Sequence, residues 1–168
     1  MKIFITGASG YVGAMLVDQL SKRSDVSHLL CLDKDPRPAF IGGVQNTTWI
    51  TTNLANSDWE RDVEKFSPDV VIHCAWQIRE MYGRKKMQWQ WNVAGSQKVF
   101  ELAFKIPTVK RLIHFSTVAS YAAYQDNSLE KRFRENEPFR KSDYLYAEEK
   151  RIAEENLESY YEKNTNRR

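Results

Sequence analysis

The stretch ITGASGYVG, residues 5–13, decides the fold, because it spaces three glycines as G-x-x-G-x-x-G. It follows the apolar run KIFIT (2–6), which predicts a buried strand. It opens the segment GYVGAMLVDQLSKR (10–23), whose apolar residues recur at helical spacing. A chain that turns this sharply from strand to helix favours residues without a Cβ atom. The stretch therefore predicts a strand–turn–helix unit.

The same turn is typical of a dinucleotide-binding site. Gly7 and Gly10 let a pyrophosphate approach the backbone closely, and the helix that follows offers free N–H groups and a positive dipole end. Gly13 lets that helix pack tightly on the sheet. An acidic residue, Asp33, follows about 20 residues further on, at the end of the next predicted strand. The alternatives are a glycine-rich turn without a ligand and a strand-end turn role for Asp33.

Asp33 favours NAD over NADP as the cofactor. Its carboxylate is placed to accept hydrogen bonds from the adenosine ribose hydroxyls, and its charge repels a 2′-phosphate. Lys34 and Arg37 follow closely and are the residues that would pair with that phosphate instead. The sequence therefore predicts NAD, with NADP as the alternative.

The rest of the chain alternates strand and helix patterns. The predicted strands are 2–6, 28–33, 47–52, 69–75 and 109–117, and the predicted helices are 10–23, 57–66, 84–104 and 143–163. Ser57 and Glu60 form the S-x-x-E capping box that predicts the start of the second helix. Alternation of this kind predicts right-handed crossovers and helices on both faces of a parallel sheet. We expect one α/β domain, residues 1–168, with a Rossmann-type doubly wound sheet in three α/β/α layers and the strand order 3-2-1-4-5.

Composition excludes several classes of protein. The 168 residues carry a net charge of +3, which is too small to indicate binding to nucleic acid or to an anionic membrane. No apolar run approaches the ~18 residues of a membrane span, and the N-terminus does not resemble a secretory signal. The cytoplasm is therefore the expected location. Cys31 and Cys74 lie in apolar runs and are expected in the core, and no Cys/His cluster has metal-ligand spacing.

Tyr146 and Lys150 form a Y-x-x-x-K pair that indicates proton-transfer chemistry. Residues four apart share one face of a helix, and a nearby ammonium group favours the phenolate form of tyrosine. Such a phenol can exchange a proton with a substrate hydroxyl or carbonyl. The same spacing occurs at Tyr82 and Lys86, but there it lies in a basic, glycine-containing loop that favours a solvated turn. Tyr146 instead begins the last helix, at the sheet edge where ligands bind.

Two hydroxyl residues, Ser116 and Thr117, end the fifth predicted strand at that same edge. A hydroxyl there can hydrogen-bond the reacting oxygen of a substrate. The alternative for each is a capping or turn role. Asn92, in the long helix, has no distinctive pattern of its own and is equally compatible with a solvent-facing or backbone-bonding amide.

Together these residues resemble the extended short-chain dehydrogenase/reductase family, of the NAD-dependent epimerase/dehydratase type. The resemblance covers essentially the whole chain, in the family's order. The segments that carry it are ITGASGYVG (5–13), HCAW (73–76), NVAGSQKVFELA (92–103), FSTVASY (115–121) and ENEPFRKSDYLYAEEKRIAEENL (135–157).

This resemblance implies a catalytic set of Thr117, Tyr146 and Lys150. Tyr146 would take the proton of a substrate hydroxyl while a hydride passes to nicotinamide, Thr117 would hold the oxygen, and Lys150 would tune the phenol and bind the nicotinamide ribose. The resemblance also implies a set of cofactor contacts. These are Gly7, Gly10, Tyr11, Val12, Gly13, Asp33, Lys34, Asn53, Leu54, Cys74, Ala75, Trp76, Asn92, Ser116, Tyr146 and Lys150.

The family resemblance further implies a small-molecule substrate, with a nucleotide sugar as the expected class and epimerase, dehydratase and reductase chemistry all open. The helices 84–104 and 143–163 resemble those that form the family's dimer interface, so we expect a homodimer. The chain departs from the family in its length: members continue well beyond the Tyr/Lys helix, so the resemblance implies that this sequence is truncated after that helix and is without the C-terminal substrate region. A non-catalytic dinucleotide-binding module, used for sensing or partner binding, is therefore the alternative function.

Overall fold

The computed structural model describes residues 1–164 and contains one parallel sheet. Its strands are β1 (Lys2–Thr6), β2 (His28–Asp33), β3 (Thr47–Thr51), β4 (Val70–His73) and β5 (Arg111–His114). They lie in the order β3-β2-β1-β4-β5, and every pair is parallel, which confirms the predicted order. The order reverses direction between β1 and β4, which is where open sheets of this type bind ligands. Residues 165–168 of the predicted domain lie outside the described residues.

Helices connect β1 to β2, β3 to β4 and β4 to β5, whereas β2 and β3 are joined by a loop, and the last helix follows β5. The helices are α1 (Tyr11–Ser21), α2 (Glu60–Phe66), α3 (Lys85–Trp89), α4 (Gly95–Lys105) and α5 (Leu145–Asn164). A π-helical turn, Gln90–Ala94, joins α3 to α4, and short 3₁₀ turns cover Ala39–Ile41 and Val118–Tyr121.

The sheet has a separate hydrophobic core on each face. Along β1, Ile3 and Ile5 pack toward α1, whereas Phe4 packs into a second core with Trp59 and Val99 from the α2 and α4 side. Successive side chains of a strand point to opposite faces, so a strand buried on both sides must be apolar throughout. Two cores around one sheet confirm the predicted three layers.

The predicted capping box at the start of α2 is wrong. The helix begins at Glu60, and Trp59 occupies the cap position without a side-chain cap bond. Trp59 is fully buried, stacks on Phe4 with ring centroids 6.0 Å apart, and donates its indole N–H to Asn56 O at 3.0 Å. Burying this large ring fixes where the chain enters the helix, so tertiary packing overrides the local signal of Ser57.

The predicted helix over 84–104 is not one continuous α-helix. The π turn inserts a wider loop of backbone between α3 and α4. Within it, Asn92 and Val93 are buried, and Gly95 follows where an added Cβ would lie 3.0 Å from Leu54 Cβ. The wider turn changes which side chains face the sheet, which a pattern based on a 3.6-residue period does not anticipate.

Two further kinds of feature, membrane-spanning helices and metal-binding clusters, are absent from the described residues. Among residues 1–164, no helix is both long and apolar enough to cross a membrane. Within the same range, no three His, Cys, Asp or Glu side chains are arranged to hold a metal ion. The cytoplasmic location stays a prediction.

Candidate functional site

The turn between β1 and α1 requires glycine at two positions. Gly7 has φ +70°, and a Cβ atom there would lie 2.4 Å from the backbone N of Ala75. A Cβ atom on Gly13 would lie 2.0 Å from Gly7 O, inside contact distance. Gly10 differs, because its added Cβ would meet only Gly7 O, at 3.3 Å. The backbone therefore demands Gly7 and Gly13, while Gly10 is tight but not excluded.

The N-terminus of α1 is left open toward the sheet edge. Gly10 occupies the cap position, no side chain caps the helix, and its first turn contains no acidic residue. The amides of Tyr11, Val12 and Gly13 belong to the first turn, where a helix provides no internal acceptor. The Tyr11 side chain is 83% exposed and so does not cover this end. An anion can therefore meet unsatisfied N–H groups and the positive end of the helix dipole.

Asp33, at the end of β2, ties the glycine turn to the second strand. Its Oδ2 accepts a hydrogen bond from the backbone N–H of Ser9 at 2.9 Å, and its Oδ1 accepts from Asp35 N at 3.0 Å. Each carboxylate oxygen can accept further bonds, so both remain able to meet a ribose hydroxyl. Lys34 forms an ion pair with Asp35 at 2.6 Å.

A groove of about 250 Å³ runs along the carboxyl ends of β1, β2 and β4. Ten of the predicted cofactor residues line it: Gly7, Gly10, Asp33, Lys34, Asn53, Leu54, Cys74, Ala75, Trp76 and Asn92. The lining also contains residues that sequence reasoning missed: Ser9, Leu32, Asp35, Thr52, Gln77 and Trp91. Most of the missed residues are next to a predicted residue in the sequence, and this proximity is the signal that could have identified them. The remaining predicted residues lie outside this lining: Tyr11, Val12, Gly13, Ser116, Thr117, Tyr146 and Lys150.

Asn92 holds the floor of the groove in place. Its Oδ1 accepts from Gln77 N at 2.7 Å, and its Nδ2 donates to Gln77 O at 3.0 Å. The side chain is 1% exposed. Asn92 therefore bonds backbone, one of the two alternatives left by the sequence, and it fixes the segment after β4 against the π turn.

Glu149 is a buried acid that sequence reasoning missed. It is 1% exposed, and its Oε2 accepts from Asn92 Nδ2 at 2.7 Å and from Gln88 Nε2 at 3.3 Å. Its Oε1 is buried without a hydrogen-bond partner among the described residues. Burial raises the pKa of this carboxyl group, against the effect of the two amide donors.

Lys150 is buried between β5 and the segment after β4. Its Nζ donates to Phe115 O and lies 3.8 Å from the centroid of the Trp76 ring. Burial lowers the pKa of this amine to about 8, while Glu154 acts in the opposite direction. Lys150 thus lies at the end of β5, outside the groove lining, and contacts the groove residue Trp76.

The hydroxyl residues at the end of β5 have protein partners. Thr117 Oγ1 accepts from Ala119 N at 3.2 Å and caps the Val118–Tyr121 turn, as in the alternative considered from sequence. Ser116 donates to the Glu154 carboxylate. Tyr146 lies in the first turn of α5, half-buried, with its ring 5.7 Å from that of Tyr144. The catalytic roles of Thr117, Tyr146 and Lys150 remain predictions.

Two histidines, which end β4 and β5, are uncharged. His73 bonds Thr6 Oγ1 at 2.6 Å and Ser96 Oγ at 2.8 Å, and burial holds its pKa well below the usual value. His114 stacks on His73 with ring centroids 5.2 Å apart. Burial, assisted by the charge of Lys150, lowers the pKa of His114 to about 3. These rings fill space and carry no charge near neutral pH.

Several solved structures that this chain resembles are of nucleotide-sugar enzymes. UDP-glucuronic acid 4-epimerase from Bacillus cereus, in complex with NAD, matches with a TM-score of 0.82 at 21% identity, over 98% of this chain and 53% of that one. dTDP-glucose 4,6-dehydratase from Bacillus anthracis, also with NAD, gives 0.79 at 21% identity, over 98% and 52%. UDP-N-acetylglucosamine 4-epimerase from Methanobrevibacter ruminantium gives 0.80 at 23% identity, over 98% and 51%. At these identities the likeness establishes the fold.

The chain spans about half the length of these enzymes. No curated protein sequence matches it. The sequence model of the NAD dependent epimerase/dehydratase family matches residues 3–167, nearly the full chain. The glycine turn, the strand order and this match agree with the resemblance first seen in the sequence. The chain belongs to the NAD-dependent epimerase/dehydratase family.

Proposed function

We propose that this chain binds NAD and forms the dinucleotide-binding half of an enzyme that acts on a nucleotide sugar. The observation that carries the proposal is the glycine turn, where a Cβ on Gly7 or Gly13 would strike backbone atoms. That turn faces the open end of α1, and Asp33 adjoins it at the same sheet edge. Close backbone approach, helix N–H groups and a ribose-binding carboxylate together suit a dinucleotide.

The same edge supports a proton-transfer role for α5. NAD bound in the groove supplies the hydride acceptor. Tyr146 removes the proton of the sugar hydroxyl through its phenolic oxygen, and the ammonium group of Lys150, one helical turn away, stabilises the phenolate. Thr117 donates a hydrogen bond to the same sugar oxygen. The contact between Lys150 and Phe115 O supports this arrangement, because it holds the amine at the end of the strand that precedes Thr117.

A nucleotide sugar is the proposed substrate. Three of the matched structures are named for enzymes that act on UDP- or dTDP-linked sugars. Epimerisation, dehydration and net reduction all begin or end with hydride transfer at a sugar carbon, so the arrangement of Tyr146 and Lys150 suits each of them.

A non-catalytic dinucleotide-binding module is the second candidate. It is favoured by one observation: the groove is lined by neither Thr117, Tyr146 nor Lys150. The two candidates differ in their consequences, because a module binds NAD without converting any nucleotide sugar. Hydride transfer from a UDP-sugar to NAD separates them when it is followed by absorbance at the nicotinamide band in protein that also carries the substrate site: the enzyme half supports it there and the module does not.

We further propose that the chain forms a homodimer through α4 and α5. These helices lie side by side, with the rings of Phe104 and Tyr160 stacked 6.1 Å apart. A second copy packed against this pair would form a four-helix bundle. Light scattering tests this, because a dimer has twice the chain mass of 19.7 kDa.

Calorimetric titration with NAD and with NADP tests the binding proposal. We expect NAD to bind at least about tenfold more tightly than NADP, a difference of about 1.4 kcal/mol. Asp33→Asn removes the charge that repels the 2′-phosphate and should reduce the difference between the affinities for NAD and NADP. Asp62→Asn is the control, because Asp62 is an exposed carboxylate of α2 that lies outside the groove lining. Failure of both dinucleotides to bind the folded protein would overturn the proposal.

A further inference from the structure

Trp76 covers Lys150 on the side that faces the groove. The Nζ of Lys150 lies 3.8 Å from the centroid of the indole, and the lysine is only 4% exposed. A cation this close to an aromatic face, and shielded from water, is strongly attracted to it. The indole therefore has a defined resting place on the amine.

The Trp76 contact divides the candidate site into two parts. Trp76 itself lines the groove, together with Gly10 and Asp33 at the glycine-turn end. Lys150 does not line it, so the indole stands between the groove and the amine of Lys150. The groove measures about 250 Å³, below the roughly 300–1,000 Å³ of sites that enclose a drug-sized ligand. A whole dinucleotide needs more room than this.

Trp76 also carries an unused hydrogen-bond donor. Its indole N–H is buried and has no partner among the described residues. Indole N–H groups usually find a partner when they are buried. The resting position therefore lacks one hydrogen bond that a moved ring could form with a ligand or with water.

We propose that Trp76 determines how much of a dinucleotide the site holds. With the indole on Lys150, the groove accepts the ADP half alone. The nicotinamide–ribose half reaches Lys150 only after the indole moves away from the amine. That movement breaks the cation–π interaction between Trp76 and Lys150, and its loss offsets the affinity that the nicotinamide–ribose half adds. The inference rests on the proposed NAD binding and adds a specificity role for this one side chain.

The test compares NAD with ADP, which share the adenosine and pyrophosphate groups. In the wild-type protein we expect dissociation constants within about threefold of each other, because the second half adds no net affinity. In Trp76→Ala we expect NAD to bind at least about fivefold more tightly than in wild type, with ADP little changed. Trp89→Ala is the control, since Trp89 is 44% exposed and lies outside the groove lining.

Two results contradict the inference. One is wild-type protein that binds NAD more than about threefold more tightly than ADP, and the other is an unchanged ratio of the NAD and ADP dissociation constants in Trp76→Ala. The wild-type comparison needs no variant, so it applies even if Trp76→Ala does not fold. Trp76→Phe then serves as the second variant. Because it leaves a smaller ring over Lys150, it should raise the affinity for NAD relative to ADP by less than the amount expected for Trp76→Ala. Binding of neither nucleotide would overturn the proposed function, and this inference with it.

Discussion

The side-chain amide of Asn92 donates to the carboxylate of Glu149 at 2.7 Å, inside the protein. This bond joins the π turn to α5, and Asn92 also holds Gln77 in the groove floor. Lys150 directly follows Glu149 in the sequence, so the bond between Asn92 and Glu149 helps to fix which face of α5 points to the end of β5. The cofactor groove and the Tyr/Lys helix are therefore mechanically connected through one buried amide.

Replacing Glu149 with glutamine should change stability in a pH-dependent way. Burial raises the folded-state pKa of this carboxyl group, so wild-type stability is highest below the unfolded-state pKa and falls as pH rises through the folded one. Glutamine does not titrate. We expect the melting temperature of Glu149→Gln, relative to wild type, to be higher at pH 8 than at pH 5. Glu155→Gln, at a carboxylate that is 47% exposed, is the control; equal shifts in both variants would contradict the assignment.

Lys150 should show the opposite dependence on pH. Its folded-state pKa is lowered to about 8 by burial, so carrying the charge costs stability below that value, and the cost is relieved as pH rises toward the unfolded pKa. Wild type should therefore gain stability over Lys150→Met between pH 8 and the ordinary lysine value of 10.5, by up to about 1.4 kcal/mol per pH unit. Denaturant unfolding at pH 7.5 and 9.5 measures this. Lys110→Met, at a side chain that is 82% exposed, should show no such trend.

The glycines of the turn should separate into two kinds. Gly13→Ala forces a Cβ against Gly7 O and should destabilise the fold by roughly 1–3 kcal/mol, as overpacking does. Gly10→Ala meets only a 3.3 Å contact and should cost less than about 1 kcal/mol. A bulkier Gly10→Val should leave the protein folded but abolish NAD binding. Retained affinity in Gly10→Val would argue against pyrophosphate binding at this turn.

Tyr146→Phe should separate binding from chemistry. The phenylalanine ring keeps the shape of the first turn of α5 and removes only the hydroxyl. We expect the dissociation constant for NAD to stay within about twofold, while hydride transfer from a nucleotide sugar, in protein that carries the complete substrate site, is lost. Tyr144→Phe is the neighbouring control, with its side chain 59% exposed. Equal turnover in Tyr146→Phe and wild type would refute the proposed role.

The strand order and the glycine turn could be predicted from sequence because their causes are local. Apolar runs such as KIFIT (2–6) must be buried on both faces, and Gly13 is required by its close contact with Gly7 O inside one strand–helix unit. The alternation of such units then leaves few topologies. The family resemblance added the expected contacts near Cys74 and Asn53, and the structure brings both to the groove.

The features that escaped prediction depend on contacts between distant segments. Glu149 lies in a charged helix and looks solvated in sequence, yet it is buried against Asn92, 57 residues earlier. The π turn and the start of α2 also follow from packing, around Asn92 and Trp59 respectively. Nothing in the local pattern indicates that Trp76 rests on Lys150. Trp76 follows β4, and Lys150 reaches from α5 to the end of β5, so the two side chains meet only because β4 and β5 are neighbours in the sheet.

Amide chemical shifts test the central claim most directly. In a ¹⁵N-labelled sample titrated with NAD, the account predicts that the largest shifts fall on the backbone N–H groups of Gly10, Tyr11, Val12 and Gly13, which open α1. Asp33 should shift with them, because it bonds the same turn. Saturable NAD binding that leaves these amides unmoved, or no saturable shift anywhere in the protein, would contradict the account.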